Sequence, residues 1–207
     1  MIPISDEKRT GKFPFFTTLL ILLNIIIFFA TFSRLELVIK EYGFVPKKIE
    51  NGEKFLTFFS SLFIHASFFH LFGNLWFLWL FGDNVEAKIG RLKFLVLYFL
   101  SGFGSLILFS LMAENKNVPV VGSSGAVSGI LGAYSVLFPK NKIKALVPIF
   151  YFWKVVYLPA IFYVGIWFLY QFLSLSQDSS IAYWAHIGGF LTGIILIKIL
   201  EKKKFKL

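Results

Sequence analysis

Apolar runs of helical length alternate along the chain with short charged or proline-marked breaks. The pattern predicts six membrane-spanning helices, at roughly 14–33, 68–87, 92–112, 124–138, 159–175 and 183–200. The fourth run is short. Only about fifteen residues separate Ser124 from the helix-ending Pro139, or roughly 22 Å of helix at 1.5 Å per residue. With Pro139 and Lys140 anchoring one end at the interface, Ser124 lies below the opposite surface, and irregular backbone at that depth needs a water-filled cavity beside it.

Two other aromatic-rich pieces are predicted not to cross. Residues 34–67 mix charges (Glu36, Lys40, Glu41, Lys47, Lys48, Glu50, Glu53, Lys54) with aromatics and leucines, as suits an amphipathic excursion at the interface. Residues 145–158, interrupted by Pro148 and closed by Pro159, read as an interfacial hairpin. No repeat of 20 to 50 residues is present. The chain is therefore one domain over 1–207, with short tails at 1–13 and 201–207.

Composition sharpens this picture. Of the 207 residues 57% are hydrophobic and 15% charged, against roughly 25% charged in a soluble domain. The fold class is all-α and polytopic, a six-transmembrane-helix bundle with a short central fourth helix. No cysteine is present, which removes disulfides and thiolate chemistry. The net charge of +10 resides in Lys and Arg at the ends of apolar runs. Such placement sets topology and offers no aromatic-interleaved basic surface for nucleic acid. Basic clusters at the N-terminus (Lys8, Arg9, Lys12), around 88–93, at 140–144 and at the C-terminus share one side of a six-span protein. Both termini are thus expected in the cytoplasm, in a cell membrane. The run from Phe15 is too long for a signal-peptide core and lacks a small-residue cleavage site.

Polar groups stand out against these helices. His70 and Asn74, four residues apart, share a helix face; Ser124 opens the short span; His186 lies on the last one. His186, Gly189 and Gly193 fall on one face, and Gly125, Gly129 and Ala133 form a small-residue ridge. Glycine ridges let helices approach closely, which brings the imidazole toward the hydroxyl. A serine hydroxyl needs a base to take its proton, and the resulting oxyanion needs donors. His186 suits the first need. His70, Asn74 and free amides at a helix start suit the second. No acid lies near His186 in sequence, so a Ser-His dyad is expected.

The ordered set His70-Leu71-Phe72-Gly73-Asn74, then Gly122-Ser123-Ser124-Gly125, then Ala185-His186-Ile187-Gly188-Gly189 resembles a rhomboid intramembrane serine protease of the minimal six-helix bacterial type. GDNVEAKIG (82–90) and YGFVP (42–46) extend the similarity over nearly the whole chain. The resemblance implies Ser124 as nucleophile and His186 as general base, with His70, Asn74 and the amides of Ser123 and Ser124 holding the oxyanion. It further implies a structural hydrogen-bonding role for Glu86, and a substrate gate at 176–182 with the fifth helix. Two departures stand out: Leu56-Thr57 occupies the place of a Trp-Arg pair in the first loop, and Ser128 the place of an aromatic that supports the imidazole in some relatives.

Each motif taken alone has a plainer meaning. Gly-Ser-Ser-Gly is commonly a packing seam, Ser123 is a second candidate nucleophile, and Ser128 is a packing or cavity-lining hydroxyl. His65, five residues from His70, is on another face, so no zinc site is expected. It is expected to tie the first loop to the second helix. Phe168 and Phe172 either line a lateral gate or face lipid. The expected function is an endopeptidase acting on transmembrane segments of membrane-protein substrates within the bilayer, without metal, cofactor or nucleic acid. The rivals are a catalytically silent relative that binds transmembrane helices for quality control and a small channel or transporter.

Overall fold

The computed structural model describes residues 1–7, 11, 13–149, 151–175 and 181–202. After strand β1 (Ile2–Asp6), helix α1 (Phe15–Thr31) runs into α2 (Leu35–Tyr42), α3 (Pro46–Glu50) and α4 (Thr57–Ser60). The bundle continues with α5 (Phe68–Ile89), α6 (Arg91–Met112) and α7 (Ser124–Leu137). Strands β2 (Lys142–Ile149) and β3 (Phe152–Pro159) then precede α8 (Ala160–Leu173) and α9 (Tyr183–Lys202).

All six predicted apolar runs are helical. By length and composition three of them, 15–42, 91–112 and 183–201, suffice to cross a membrane, and a fourth does so when 57–63 and 68–89, bent by 94°, count as one broken span. Helices α7 and α8, each of 14 residues, are shorter, about 21 Å at 1.5 Å per residue. Brevity was expected of α7 but not of α8. The latter starts directly after Pro159, which ends β3, and its described helix stops at Leu173.

α7 is the centre of the bundle. Every residue from Gly125 to Ser135 is buried, because α5, α6, α8 and α9 surround it. Glycines make the contact backbone to backbone. A Cβ on Gly189 or Gly193 would collide with the carbonyl oxygens of Gly125 and Gly129, and one on Gly188 would lie 2.7 Å from Leu108 Cβ on α6. Consecutive glycines of α9 thus serve two neighbours.

The first loop folds into the short helices α2, α3 and α4. It is tied to the segment before α7: Phe44 pairs with Val120, Lys47 N–H donates to the Lys116 carbonyl at 3.0 Å, and Gly122 N–H donates to the Ser61 carbonyl at 2.8 Å. Lys116 also pairs with Glu50, and Lys54 with Glu41 at 2.7 Å. The hydrogen bond from the Lys116 ammonium holds the Glu50 carboxyl below the ordinary range. Being exposed, these pairs add little stability individually.

The N-terminus departs from the expected plain tail at 1–13. β1 pairs antiparallel with β2, and β2 with β3, so the helical bundle carries a three-stranded sheet. The hairpin was expected; the third strand was not. A hairpin leaves an edge of unpaired backbone groups, and β1 covers it. The strand is also pinned to the bundle, where Trp76 Nε1–H donates to the Pro3 carbonyl at 2.8 Å and Asp6 accepts from Asn84 Nδ2 at 2.7 Å and from the Tyr134 hydroxyl.

Near the same end, Glu86 of α5 accepts three hydrogen bonds from the start of α1. Phe16 N–H reaches Oε1 at 2.9 Å, and Thr17 N–H and Oγ1–H each reach Oε2 at 2.8 Å. A carboxylate there satisfies amides with no intrahelical partner and complements the helix dipole. Glu86→Ala is expected to cost about 2–4 kcal/mol. The check is the thermal unfolding midpoint in detergent, with Glu86→Gln, which keeps an acceptor oxygen, falling between variant and wild type.

Candidate functional site

The end of the bundle opposite the sheet holds a cavity of about 660 Å³. His70, Gly73 and Asn74 of α5, Ser124 and Ser128 of α7, and Trp167 and His186 line it. Four predicted site residues, from three helices, therefore open onto one space.

Local structure explains each placement. Ser67 starts α5, its Oγ accepting from His70 N–H at 3.1 Å, and this sets His70 in the first turn. Asn74, one turn on, donates from Nδ2 to the His70 carbonyl at 3.0 Å. Its amide keeps a second N–H. Gly122 has φ +110, a left-handed conformation suited to glycine, and a Cβ there would lie 2.5 Å from His70 Nε2. The glycine therefore serves both the turn into α7 and the seat of His70. The short α7 begins at Ser124, so its first amides have no partner within the helix.

Ser124 and His186 share the cavity but not a hydrogen bond in this structure. Their backbones are close: a Cβ on Gly125, next to Ser124, would lie 3.6 Å from the carbonyl oxygen of Ala185, next to His186. A Cβ there would also collide with Ser105 of α6. Contacts between a base and its nucleophile are often long in unliganded sites and tighten with substrate.

Ser123 is placed differently from Ser124. It is wholly buried and absent from the cavity lining. Its hydroxyl lies 3.3 Å from His65 Nε2, and its amide points at the same nitrogen at 3.4 Å. His65 therefore ties the first loop to the start of α7, not only to the second helix, while its ring rests against that of His70 at 5.1 Å. The structure thus separates the two serines of the motif: one faces the cavity, the other faces His65.

At the position of the missing aromatic, Ser128 Oγ–H donates to the Ser124 carbonyl at 2.6 Å. Aromatic neighbours of His186 come from elsewhere. The Trp167 ring on α8 lies 6.2 Å away, tilted by 32°, and Tyr183 meets the imidazole edge-on at 6.1 Å. Gln171, also on α8, places Oε1 2.8 Å from His186 Nδ1. Neither Gln171 nor Trp167 belongs to a motif legible in the sequence. The available signal was a buried-type amide on an otherwise apolar helix, one turn from a tryptophan. Phe168 stacks on Phe190 at 4.3 Å, while Phe172 is half exposed and meets Phe168 edge-on; neither lines the cavity. In the first loop Leu56 is exposed and Thr57 buried, its hydroxyl donating to the Lys54 carbonyl at 2.7 Å. The expected gate at 176–182 lies mostly outside the described residues.

A polytopic helical bundle, with a serine opening a short central helix onto a cavity shared with histidines, defines a class of membrane-embedded proteins. The family profile described as "Rhomboid domain" matches residues 52–203, and the chain belongs to the rhomboid family. It is 31% identical over 156 residues to "RHOMBOID-like protein 6, mitochondrial" of Arabidopsis thaliana, covering 72% of this chain and 45% of that protein. It is 34% identical over 157 residues to "Inactive RHOMBOID-like protein 8" of the same plant, with coverage of 72% and 39%. With "Rhomboid protein 1, mitochondrial" of Saccharomyces cerevisiae it shares 31% identity over 167 residues, covering 72% and 44%. The chain thus matches less than half the length of these relatives, which include a protein named inactive.

Proposed function

We propose that the chain is an intramembrane serine endopeptidase that cleaves transmembrane segments of membrane proteins. The observation supporting this most is the cavity itself, onto which Ser124, His186, His70 and Asn74 all open. In the proposed reaction His186 Nε2 takes the proton of Ser124 Oγ as that oxygen attacks the substrate carbonyl. His70, the free N–H of Asn74 and the first amides of α7 then stabilise the oxyanion. The amide of Ser123, aimed at His65, contributes less than the sequence suggested. His186 next passes its proton to the departing amine, and water deprotonated by the same imidazole frees the acyl group. The proposed setting is a cell membrane with both termini cytoplasmic. Because a helical substrate shields its own carbonyls, segments with helix-destabilising residues near the scissile bond are the proposed substrates.

The test is fluorophosphonate labelling of the detergent-purified protein followed by peptide mapping. The expected result is a single adduct on Ser124, lost in Ser124→Ala and in His186→Ala. No adduct on the folded wild type would favour the alternative, a silent rhomboid-like protein that binds transmembrane helices. The relative named inactive keeps that rival relevant.

A further inference from the structure

The imidazole of His186 is held from α8 at two points, and the second of them decides which nitrogen carries its proton. Gln171 is buried, at 3% exposure. Its Nε2 donates to the backbone carbonyl of Trp167 at 3.0 Å, and its Oε1 lies 2.8 Å from His186 Nδ1. A backbone carbonyl can only accept, so the amide nitrogen must face Trp167 and the amide oxygen must face the imidazole. An oxygen so placed also only accepts. The partner nitrogen of a neutral imidazole must therefore be the protonated one; the opposite tautomer would set two lone pairs against each other in a place with little water to relieve them.

We propose that Gln171 is a positioning residue for His186, holding the proton on Nδ1 so that Nε2 presents its lone pair for the hydroxyl of Ser124. The proposal rests on the endopeptidase reading above for its catalytic consequence, but not for its structural content. In the proton transfer the proton of Ser124 Oγ moves to Nε2, and Nδ1 keeps its own. The Nδ1–H to Oε1 bond then becomes charge-assisted and shorter. A neutral amide thus does the orienting work that a carboxylate does in a Ser-His-Asp triad, without adding a buried charge. Trp167, one helical turn before Gln171, flanks the ring, with 6.2 Å between centroids and a tilt of 32°. One face of α8 therefore fixes both the plane and the tautomer of the imidazole.

The experiment uses full-length protein in detergent micelles, labelled with 15N-histidine, alongside cleavage kinetics on a transmembrane-segment substrate. The His186 signals are identified by their loss in His186→Ala. In the wild type the neutral His186 is expected to show a protonated Nδ1 and an unprotonated Nε2. Gln171→Met, similar in length but without the amide acceptor, is expected to show mixed tautomers and a kcat lowered roughly 10- to 100-fold at unchanged KM. Gln171→Glu, which restores an acceptor oxygen, should recover the Nδ1-protonated form and most of kcat. A wild-type imidazole protonated on Nε2, or a Gln171→Met protein with wild-type tautomer and kcat, would overturn the proposal. Should Gln171→Met not fold, the wild-type tautomer and Gln171→Glu decide alone. Wild-type protein with the expected tautomer but neither cleavage nor fluorophosphonate labelling would sink the endopeptidase reading and leave the tautomer lock standing.

Discussion

Ser124→Ala is expected to lower cleavage of a transmembrane-segment substrate by at least about 10⁴-fold while shifting unfolding by no more than about 0.5 kcal/mol. The two halves of this expectation have separate causes. Chemically, an alanine methyl cannot form the acyl intermediate, and what remains is the catalysis that binding and oxyanion donors supply alone. Structurally, Ser124 lines the cavity and its hydroxyl has no hydrogen-bond partner among the described residues, so its removal orphans none of them. Ser123→Ala is the informative contrast. Its hydroxyl is buried beside His65 at 3.3 Å, so losing it is expected to cost about 1 kcal/mol of stability with cleavage kept within about 10-fold. The measurements are substrate cleavage in proteoliposomes and thermal unfolding in detergent. Equal cleavage by Ser124→Ala and wild type, or the reverse assignment of the two serines, would remove the nucleophile from the scheme.

Gly189→Ala carries the second large effect, and it acts through helix spacing. The added methyl would collide with the carbonyl oxygen of Gly125 in the first turn of α7, and a helix backbone cannot yield as a flexible side chain can. α9 must move outward, taking His186 with it. Displacement of a base by about 1 Å can cost roughly 100-fold in rate, and overpacking of this kind costs about 1–3 kcal/mol. Gly189→Ala is therefore expected to lose at least about 100-fold in cleavage and to unfold at lower temperature. Gly165→Ala is the matched control. Nothing lies within 4 Å of a Cβ at that position on α8, so it should leave cleavage unchanged and, through better helix propensity, hold or raise the unfolding midpoint. Like results for the two variants would refute close α7–α9 packing as the element that sets Ser124 beside His186.

Much of the fold was legible because lipid is an exacting solvent. A spanning helix must be apolar over most of its length, so helix positions appear as runs, and the six runs match α1, α5, α6, α7, α8 and α9 to within about three residues at most ends. The short α7 was legible too, since Pro139 and Ser124 bracket it. Polar residues on such helices stand out for the same reason. That is why His70, Asn74, Ser124 and His186 were found, and why the family was recognisable from their order alone.

What escaped depends on contacts between distant parts of the chain. β1 has no membrane-imposed pattern; its pairing with β2 follows from where the bundle leaves the edge of the hairpin. The Gly122-Ser123-Ser124-Gly125 motif names two adjacent serines, and only packing against His65 distinguishes their surroundings. Gln171 and His186 lie 15 residues apart on separate helices, and no spacing rule joins them.

The sequence by itself determined the class of protein, the placement of its helices and the polar residues that line the cavity, because burial in lipid and glycine spacing are properties of each segment alone. The tertiary structure decided which serine meets the cavity, which strand closes the sheet and which side chain grips the imidazole. Those outcomes depend on directions and distances between helices, and these exist only once α6, α7 and α9 have come together backbone against backbone.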